Sequence, residues 1–167
     1  MEHTMKLLMT ETSPELSRLC RQKLPEHNID VNVCPRNGVV AYSELAAQKP
    51  DAVLLDIFMP GMDAFSVKKK YNENFPQSQT AFYVTGTFQN EEIEREVMEN
   101  GFQFYFLKPF DVEAFAQRIR GTSDRRAPSV PRQTIPAEDM ITDLLRTIGL
   151  PAHINGYPFL RIAIMMV

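Results

Sequence analysis

Three polar residues with different chemistry each stand directly after a short run of apolar residues. They are Asp56, Thr85 and Lys108, and Pro109 follows the lysine. A carboxylate can act as a nucleophile, a hydroxyl can donate a hydrogen bond, and an ammonium can hold a negative charge. The carboxyl ends of buried parallel strands meet at one edge of a sheet, where open α/β folds place their sites. This pattern therefore predicts a pocket that can accept a phosphoryl group.

The sequence around these residues predicts five strands that alternate with five helices. The predicted strands are 6–9, 31–34, 51–56, 80–85 and 103–107. The first predicted helix starts at Thr12 or Ser13 and ends at Pro25, and the third contains Phe65, Tyr71 and Phe75. The second, fourth and fifth predicted helices cover 39–48, 91–100 and 112–120. Such alternation predicts a doubly wound α/β fold with right-handed crossovers. The flavodoxin-like (βα)5 sheet, with strand order 2-1-3-4-5, is the expected arrangement.

Residues 5–121 resemble the response-regulator receiver domain of two-component signalling. The resemblance implies that Asp56 is the phosphoacceptor, Thr85 the switch hydroxyl, Tyr105 the switch aromatic and Lys108 the conserved ammonium. It implies a regulator rather than an enzyme, one that works in the cytoplasm. A sensor kinase or a phosphotransferase would supply the phosphoryl group.

The resemblance also implies a divalent cation, Mg²⁺ by preference, with Ca²⁺ as an alternative. Its expected ligands are Glu11, Asp56 and the backbone carbonyl of Phe58. Receivers place two acidic residues just after the first strand, and Thr12 occupies the second of those positions here. A neutral hydroxyl replaces a carboxylate that Mg²⁺ would favour, so a weakened metal site is expected.

The last third of the chain changes character. Residues 122–136 hold three prolines and three arginines without apolar periodicity, which predicts a linker. Residues 137–167 resemble the start of the helical effector domain of the master sporulation response regulators, the stage-zero sporulation protein A family. The segment 149–157, Gly-Leu-Pro-Ala-His-Ile-Asn-Gly-Tyr, carries this match. The family implies promoter DNA and RNA polymerase as partners, and a homodimer as one possible assembly.

No residue of this chain matches the recognition helix of that family, because the sequence ends inside the second predicted effector helix. No DNA-contacting residue is therefore identified. The expected product is a sporulation-type phosphorelay regulator with a short C-terminal helical fragment and without its recognition helix.

The composition fits a soluble globular protein. The chain has 167 residues, of which 44% are hydrophobic and 23% charged. A net charge of -3 gives no general attraction to nucleic acid, and no apolar run is long enough for a membrane span. Cys20 and Cys34 lack metal-binding spacing, so buried free thiols are expected.

Other classes of protein remain as alternatives to a phosphorylated regulator. Thr12 favours a degenerate receiver that binds proteins independently of phosphate. A haloacid-dehalogenase-type phosphatase would need a second aspartate two residues after Asp56, where Phe58 stands. A dinucleotide-binding enzyme would need a glycine-rich first turn, and residues 10–13 contain no glycine.

Overall fold

The structure, a computed structural model, describes residues 2–124. The sequence-based predictions for the effector segment 137–167, and for all but the first three residues of the linker, lie outside the described residues. No helix within 2–124 is long and apolar enough to cross a membrane.

Five parallel strands form one sheet in the order β2-β1-β3-β4-β5, which confirms the predicted flavodoxin-like topology. The strands are β1 (Met5–Thr10), β2 (Ile29–Cys34), β3 (Ala52–Asp56), β4 (Ala81–Gly86) and β5 (Tyr105–Leu107). The helices are α1 (Pro14–Lys23), α2 (Gly38–Gln48), α3 (Ala64–Asn74), α4 (Glu91–Glu99) and α5 (Val112–Asp124), with a short 3-10 helix (Leu24–His27) after α1.

Side-chain caps define where four of the helices begin. Ser13, Asn37, Asp63 and Asn90 each accept hydrogen bonds from backbone N–H groups in the first turn of α1, α2, α3 and α4. Capping satisfies donors that have no partner inside the helix. Because each cap lies a few residues after the end of a strand, these helices start close to the carboxyl edge of the sheet.

The core lies on both faces of the sheet. Leu54 packs in one cluster with α1 and α5, whereas its neighbours Val53 and Leu55 pack in another with α2 and α3. This alternation follows from the two-residue period of a strand, and all five residues of β3 are buried. The central strand is therefore held from both sides, which fixes the position of Asp56 at its end.

Cys20 and Cys34 are free and buried, as the sequence predicts. Burial raises the pKa of each thiol to about 11. Thiolate is the reactive form of cysteine, so these two residues serve as core side chains.

Most element boundaries lie within one or two residues of those expected, and the differences at β5, α3 and α5 have structural explanations. β5 is two residues shorter than predicted, since Gln103 and Phe104 precede it, although both exchange backbone hydrogen bonds with β4. α3 ends before Phe75, which caps it and still packs 4.9 Å from the Tyr71 ring. α5 continues through Gly121 to Asp124, beyond its predicted end at Arg120, because a single glycine costs a helix only about 1 kcal/mol and the next proline in the sequence is Pro128.

Candidate functional site

The predicted pocket residues meet at the carboxyl edge of the sheet. Asp56 and Thr85 are register partners on β3 and β4, and Lys108 directly follows β5. These residues, together with Thr12 and Arg36, line an open cavity of about 280 Å³. The parallel topology thus brings together groups that are up to 96 residues apart, because Thr12 and Lys108 border the same cavity.

Lys108 joins the two carboxylates of the pocket. Its Nζ lies 2.7 Å from Glu11 Oε2 and 3.0 Å from Asp56 Oδ1. The backbone N–H of Lys108 donates to the Gly86 carbonyl at 2.8 Å, which holds the lysine against the end of β4. Burial alone would lower the pKa of Lys108, but the hydrogen bonds and charges of Glu11 and Asp56 outweigh it and raise that pKa. The ammonium therefore stays charged.

Glu11 is engaged on both carboxylate oxygens. Oε1 accepts the backbone N–H groups of Thr12 at 2.8 Å and Ser13 at 2.9 Å, while Oε2 accepts from Lys108. Burial by itself raises the pKa of Glu11, but these hydrogen bonds together bring the pKa below its ordinary value. Glu11 is thus an ionised carboxylate whose strongest partners are the lysine and the start of α1.

Thr10 is a pocket residue that the sequence analysis missed. Its hydroxyl is fully buried, accepts the backbone N–H of Asp56 at 2.9 Å and donates to Asp56 Oδ2 at 3.2 Å. The signal was present, because Thr10 ends β1 at the same edge of the sheet as Asp56. Thr10 therefore orients the Asp56 carboxylate by binding both its main chain and its side chain.

Arg36 is the second residue that the sequence analysis missed. It stands two residues after β2, and its Nη2 donates to the Phe58 carbonyl at 3.0 Å. Its Nε lies 3.9 Å from Asp56 Oδ2. A basic residue after the second strand of this fold reaches the same edge as Asp56, and that placement could have indicated it.

Thr85 and Tyr105 both have hydrogen-bond partners on the main chain. The buried Thr85 hydroxyl donates to the Phe106 carbonyl of β5 at 2.8 Å. The Tyr105 hydroxyl donates to the Phe88 carbonyl at 2.7 Å, in the loop between β4 and α4. A side chain at Gly86 would meet the Tyr105 hydroxyl oxygen at 2.3 Å, so the tyrosine lies across that glycine.

The residues present do not fit a divalent cation in this arrangement. Glu11 accepts hydrogen bonds from Lys108 and from two backbone N–H groups, and the Phe58 carbonyl accepts one from Arg36. Thr12 has no charge. Within residues 2–124, no group of three or more His, Cys, Asp or Glu side chains could hold a metal ion. Mg²⁺ needs several oxygen ligands in near-octahedral geometry, and here each expected protein ligand, Asp56 included, accepts hydrogen bonds from other protein groups.

Comparison with known proteins gives one family. Residues 7–120 match the response regulator receiver domain. Among solved structures, the BeF3-activated receiver domain of Klebsiella pneumoniae RstA is 29% identical, with a TM-score of 0.59, and the match covers 69% of this chain and 95% of that one. The receiver domain of Francisella response regulator 1452 has 20% identity and a TM-score of 0.64, covering 74% and 99% of the two chains. A LuxR-family DNA-binding response regulator from Staphylococcus aureus has 22% identity and a TM-score of 0.62, covering 70% and 97%.

Proposed function

The chain belongs to the response regulator receiver domain family, and we propose that it accepts a phosphoryl group on Asp56. Receiver domains are signal-receiving modules of two-component systems rather than enzymes, and they interact with kinases or phosphotransferases. The observation that carries the proposal is the contact of 3.0 Å between the Lys108 ammonium and Asp56 Oδ1 at the open edge of the sheet.

In the proposed reaction, an Asp56 carboxylate oxygen attacks the phosphorus of the donor. An oxygen–phosphorus bond forms while the bond from phosphorus to the leaving atom breaks, and the electron pair departs with that atom. The leaving atom is an imidazole nitrogen in a phosphohistidine donor or a carboxylate oxygen in an acyl phosphate. Lys108 binds the developing negative charge, and Thr10 holds the carboxylate in position.

The response to phosphorylation would involve Thr85 and Tyr105. A phosphoryl oxygen on Asp56 offers the Thr85 hydroxyl a charged acceptor in place of the Phe106 carbonyl. Movement of Thr85 towards Asp56 would leave space beside the Tyr105 ring, which would then turn inward and give up its hydrogen bond to the Phe88 carbonyl. The surface made by α4 and β5 would change, and a partner could detect that change.

The sporulation assignment is a finer proposal that rests on the segment 149–157. Under this proposal the receiver controls transcription at sporulation promoters, with DNA and RNA polymerase as the family's partners. Support comes from the length of the Gly-Leu-Pro-Ala-His-Ile-Asn-Gly-Tyr match.

A second candidate function is a phosphate-independent protein-binding module. The observation that favours it is the loss of the usual acidic pair, with Thr12 at one position and Glu11 bonded to Lys108 at the other. In that case Asp56 and Lys108 would form a structural ion pair, and partner binding would not depend on phosphorylation.

Intact mass spectrometry after incubation with acetyl phosphate tests the proposed function. We expect one added phosphoryl group on the wild-type chain and none on Asp56→Asn, at a lower rate than in a receiver with both acidic residues. Undiminished labelling of Asp56→Asn would refute the assignment. An unlabelled wild type whose partner binding survives Asp56→Asn would favour the binding module.

A further inference from the structure

We propose that the Arg36 guanidinium is a resident cation of this pocket that replaces a divalent metal ion, so that Asp56 accepts a phosphoryl group without one. The inference rests on the proposed function of Asp56. Arg36 lies outside the motif that the family resemblance identifies. Under this proposal, Arg36 compensates for the acidic residue that Thr12 replaces.

Arg36 contacts two of the three groups that the resemblance assigns to the metal. Its Nη2 donates to the Phe58 carbonyl at 3.0 Å, and its Nε lies 3.9 Å from the Asp56 carboxylate. A metal at its expected place would need both of these oxygens. The guanidinium therefore takes up the position between them, with a hydrogen bond to one and a charge interaction with the other.

The charges of the pocket balance without an added ion. Two carboxylates, Glu11 and Asp56, face two cations, Lys108 and Arg36. The position that would add a third carboxylate holds Thr12. A divalent cation entering this pocket would meet the positive guanidinium and would have one carboxylate fewer to attract it.

The guanidinium can also bind a phosphoryl group directly. It carries five N–H donors in a planar fork that matches phosphate oxygens, and the hydrogen bond to Phe58 uses one of them. The Arg36 side chain is 46% exposed, whereas that of Lys108 is 18% exposed. Arg36 thus approaches Asp56 from the open side of the cavity, where an incoming phosphodonor would arrive.

The loop that carries Arg36 is fixed to the loop that carries Phe58. The Gly38 N–H donates to the Pro60 carbonyl at 2.9 Å, and the absent side chain of Gly38 leaves room for the Met62 carbonyl. Asn37 caps α2 immediately after the arginine. Arg36 is therefore held by two anchored segments, and such preorganisation is what an electrostatic role requires.

In the metal-free step, an Asp56 oxygen attacks the phosphorus of acetyl phosphate, and the bond from phosphorus to the acetyl oxygen breaks. Acetate leaves with the electron pair, so no proton or further reactant is needed. Arg36 and Lys108 bind the phosphoryl oxygens as negative charge shifts towards the leaving group.

The test compares phosphorylation by acetyl phosphate in excess EDTA with phosphorylation in Mg²⁺, followed by intact mass spectrometry. Full-length wild type, Arg36→Met and the matched control Arg18→Met, from an exposed position on α1, are measured in both conditions. We expect the wild-type rate to differ by less than about threefold between the conditions. Arg36→Met should lose roughly tenfold or more in EDTA, because a positioned charge is removed, while Arg18→Met should match the wild type.

A calorimetric Mg²⁺ titration of the same three proteins gives a readout independent of phosphorylation. Arg36→Met should bind Mg²⁺ more tightly than the wild type and Arg18→Met do, because it lacks the positive guanidinium. Wild-type labelling that requires Mg²⁺ would overturn the role of Arg36 and leave Asp56 as the acceptor, a result that does not depend on any variant folding. Absence of wild-type labelling in both conditions would overturn the proposed function as well.

Discussion

At the residue scale, the pocket is organised around Lys108. Its ammonium bridges Glu11 and Asp56, so the two acidic groups lie together without uncompensated repulsion. Glu11 has a second task, because its other oxygen holds the first backbone N–H groups before α1. Removing either partner of a largely buried ion pair leaves the other desolvated, which costs far more than losing an exposed pair.

The Glu11→Gln variant should be less stable than wild type at neutral pH, by about 1–3 kcal/mol, since Lys108 loses a charged partner. The pKa of Glu11 is lowered by folding, so its contribution to stability is complete above the ordinary pKa of 4.5 and disappears as the pH falls through the lower folded value. The difference in unfolding free energy between wild type and Glu11→Gln should therefore be constant from neutral pH down to about the ordinary pKa of 4.5 and decrease below it. Thermal melts across this range measure this difference.

Glu73→Gln, from an exposed position on α3, is the matched control. This control should show little change in stability at neutral pH. If Glu11→Gln has the same melting temperature as the wild type at neutral pH, the ion pair with Lys108 does not stabilise the fold. The same conclusion follows if the loss of stability in Glu11→Gln increases as the pH is lowered.

Thr10 and Arg36 show how residues without an expected role complete the same site. Thr10 orients Asp56 from inside the sheet, and Arg36 reaches it from the solvent side. Asp56 is thus held on Oδ1 by Lys108, while Oδ2 receives the Thr10 hydroxyl and the field of Arg36. These contacts define which groups an incoming phosphoryl group must displace or share.

At the element scale, the position of Arg36 depends on a close approach between α2 and the loop after β3. A Cβ atom at Gly38 would lie 1.9 Å from the Met62 carbonyl oxygen, which belongs to the backbone and cannot turn aside. Gly61, in the same loop, has a φ of +83°, a conformation that other residues rarely adopt. The two glycines let the two loops pack against each other.

Gly38→Ala should therefore destabilise the protein by about 1–3 kcal/mol or more through overpacking. Gly121→Ala is the matched control, because a Cβ at this helical position meets nothing within 4 Å. Replacing glycine by alanine inside an open helix should be neutral or stabilise it by up to about 1 kcal/mol. Urea denaturation of the two variants and wild type gives the comparison.

Equal stabilities for Gly38→Ala and Gly121→Ala would mean that the loops separate at little cost. That result would also weaken the inference that Arg36 is preorganised. A large loss in Gly38→Ala, accompanied by slower labelling of Asp56 in EDTA, would connect loop packing to the pocket.

At the scale of the whole molecule, residues 2–124 contain a hydrophobic core on both faces of the receiver sheet. Both clusters of buried side chains, one on each face of the sheet, lie between Met5 and Ile119. Each helix covers one face of the strands, as expected for two packed layers around a parallel sheet. The receiver should accordingly fold from its own residues.

Deleting residues 137–167 should leave the melting midpoint of the receiver within about 2 °C of the full chain. The physical reason is that residues 2–124 already supply five strands, five helices and a hydrophobic core on both faces of the sheet. We also expect better solubility, because the deleted segment ends in the apolar run Ile162–Val167. Calorimetric melting and a concentration series test both expectations. A midpoint lowered by many degrees would make the tail an integral part of the core and would place the domain boundary elsewhere.

The sequence by itself determined the class of fold and three of the pocket residues. Apolar runs ending in Asp56, Thr85 and Lys108 indicated strands, and their alternation with helices allowed few topologies. Helical spacing also accounts for the burial of four apolar helix residues, Ala41, Leu45, Phe115 and Ile119. These features are predictable because they depend on periodicity and on the residue type at each strand end.

Only the tertiary structure decided how the pocket residues are paired. Sequence patterns do not show that Lys108 bonds to Glu11 or that Arg36 bonds to the Phe58 carbonyl. The contacts of Thr10 and Arg36 follow from no local pattern, because their partners are 46 and 22 residues away in the chain. Which side chain satisfies a buried charge depends on distances across the sheet edge, and those distances exist only after the strands have assembled.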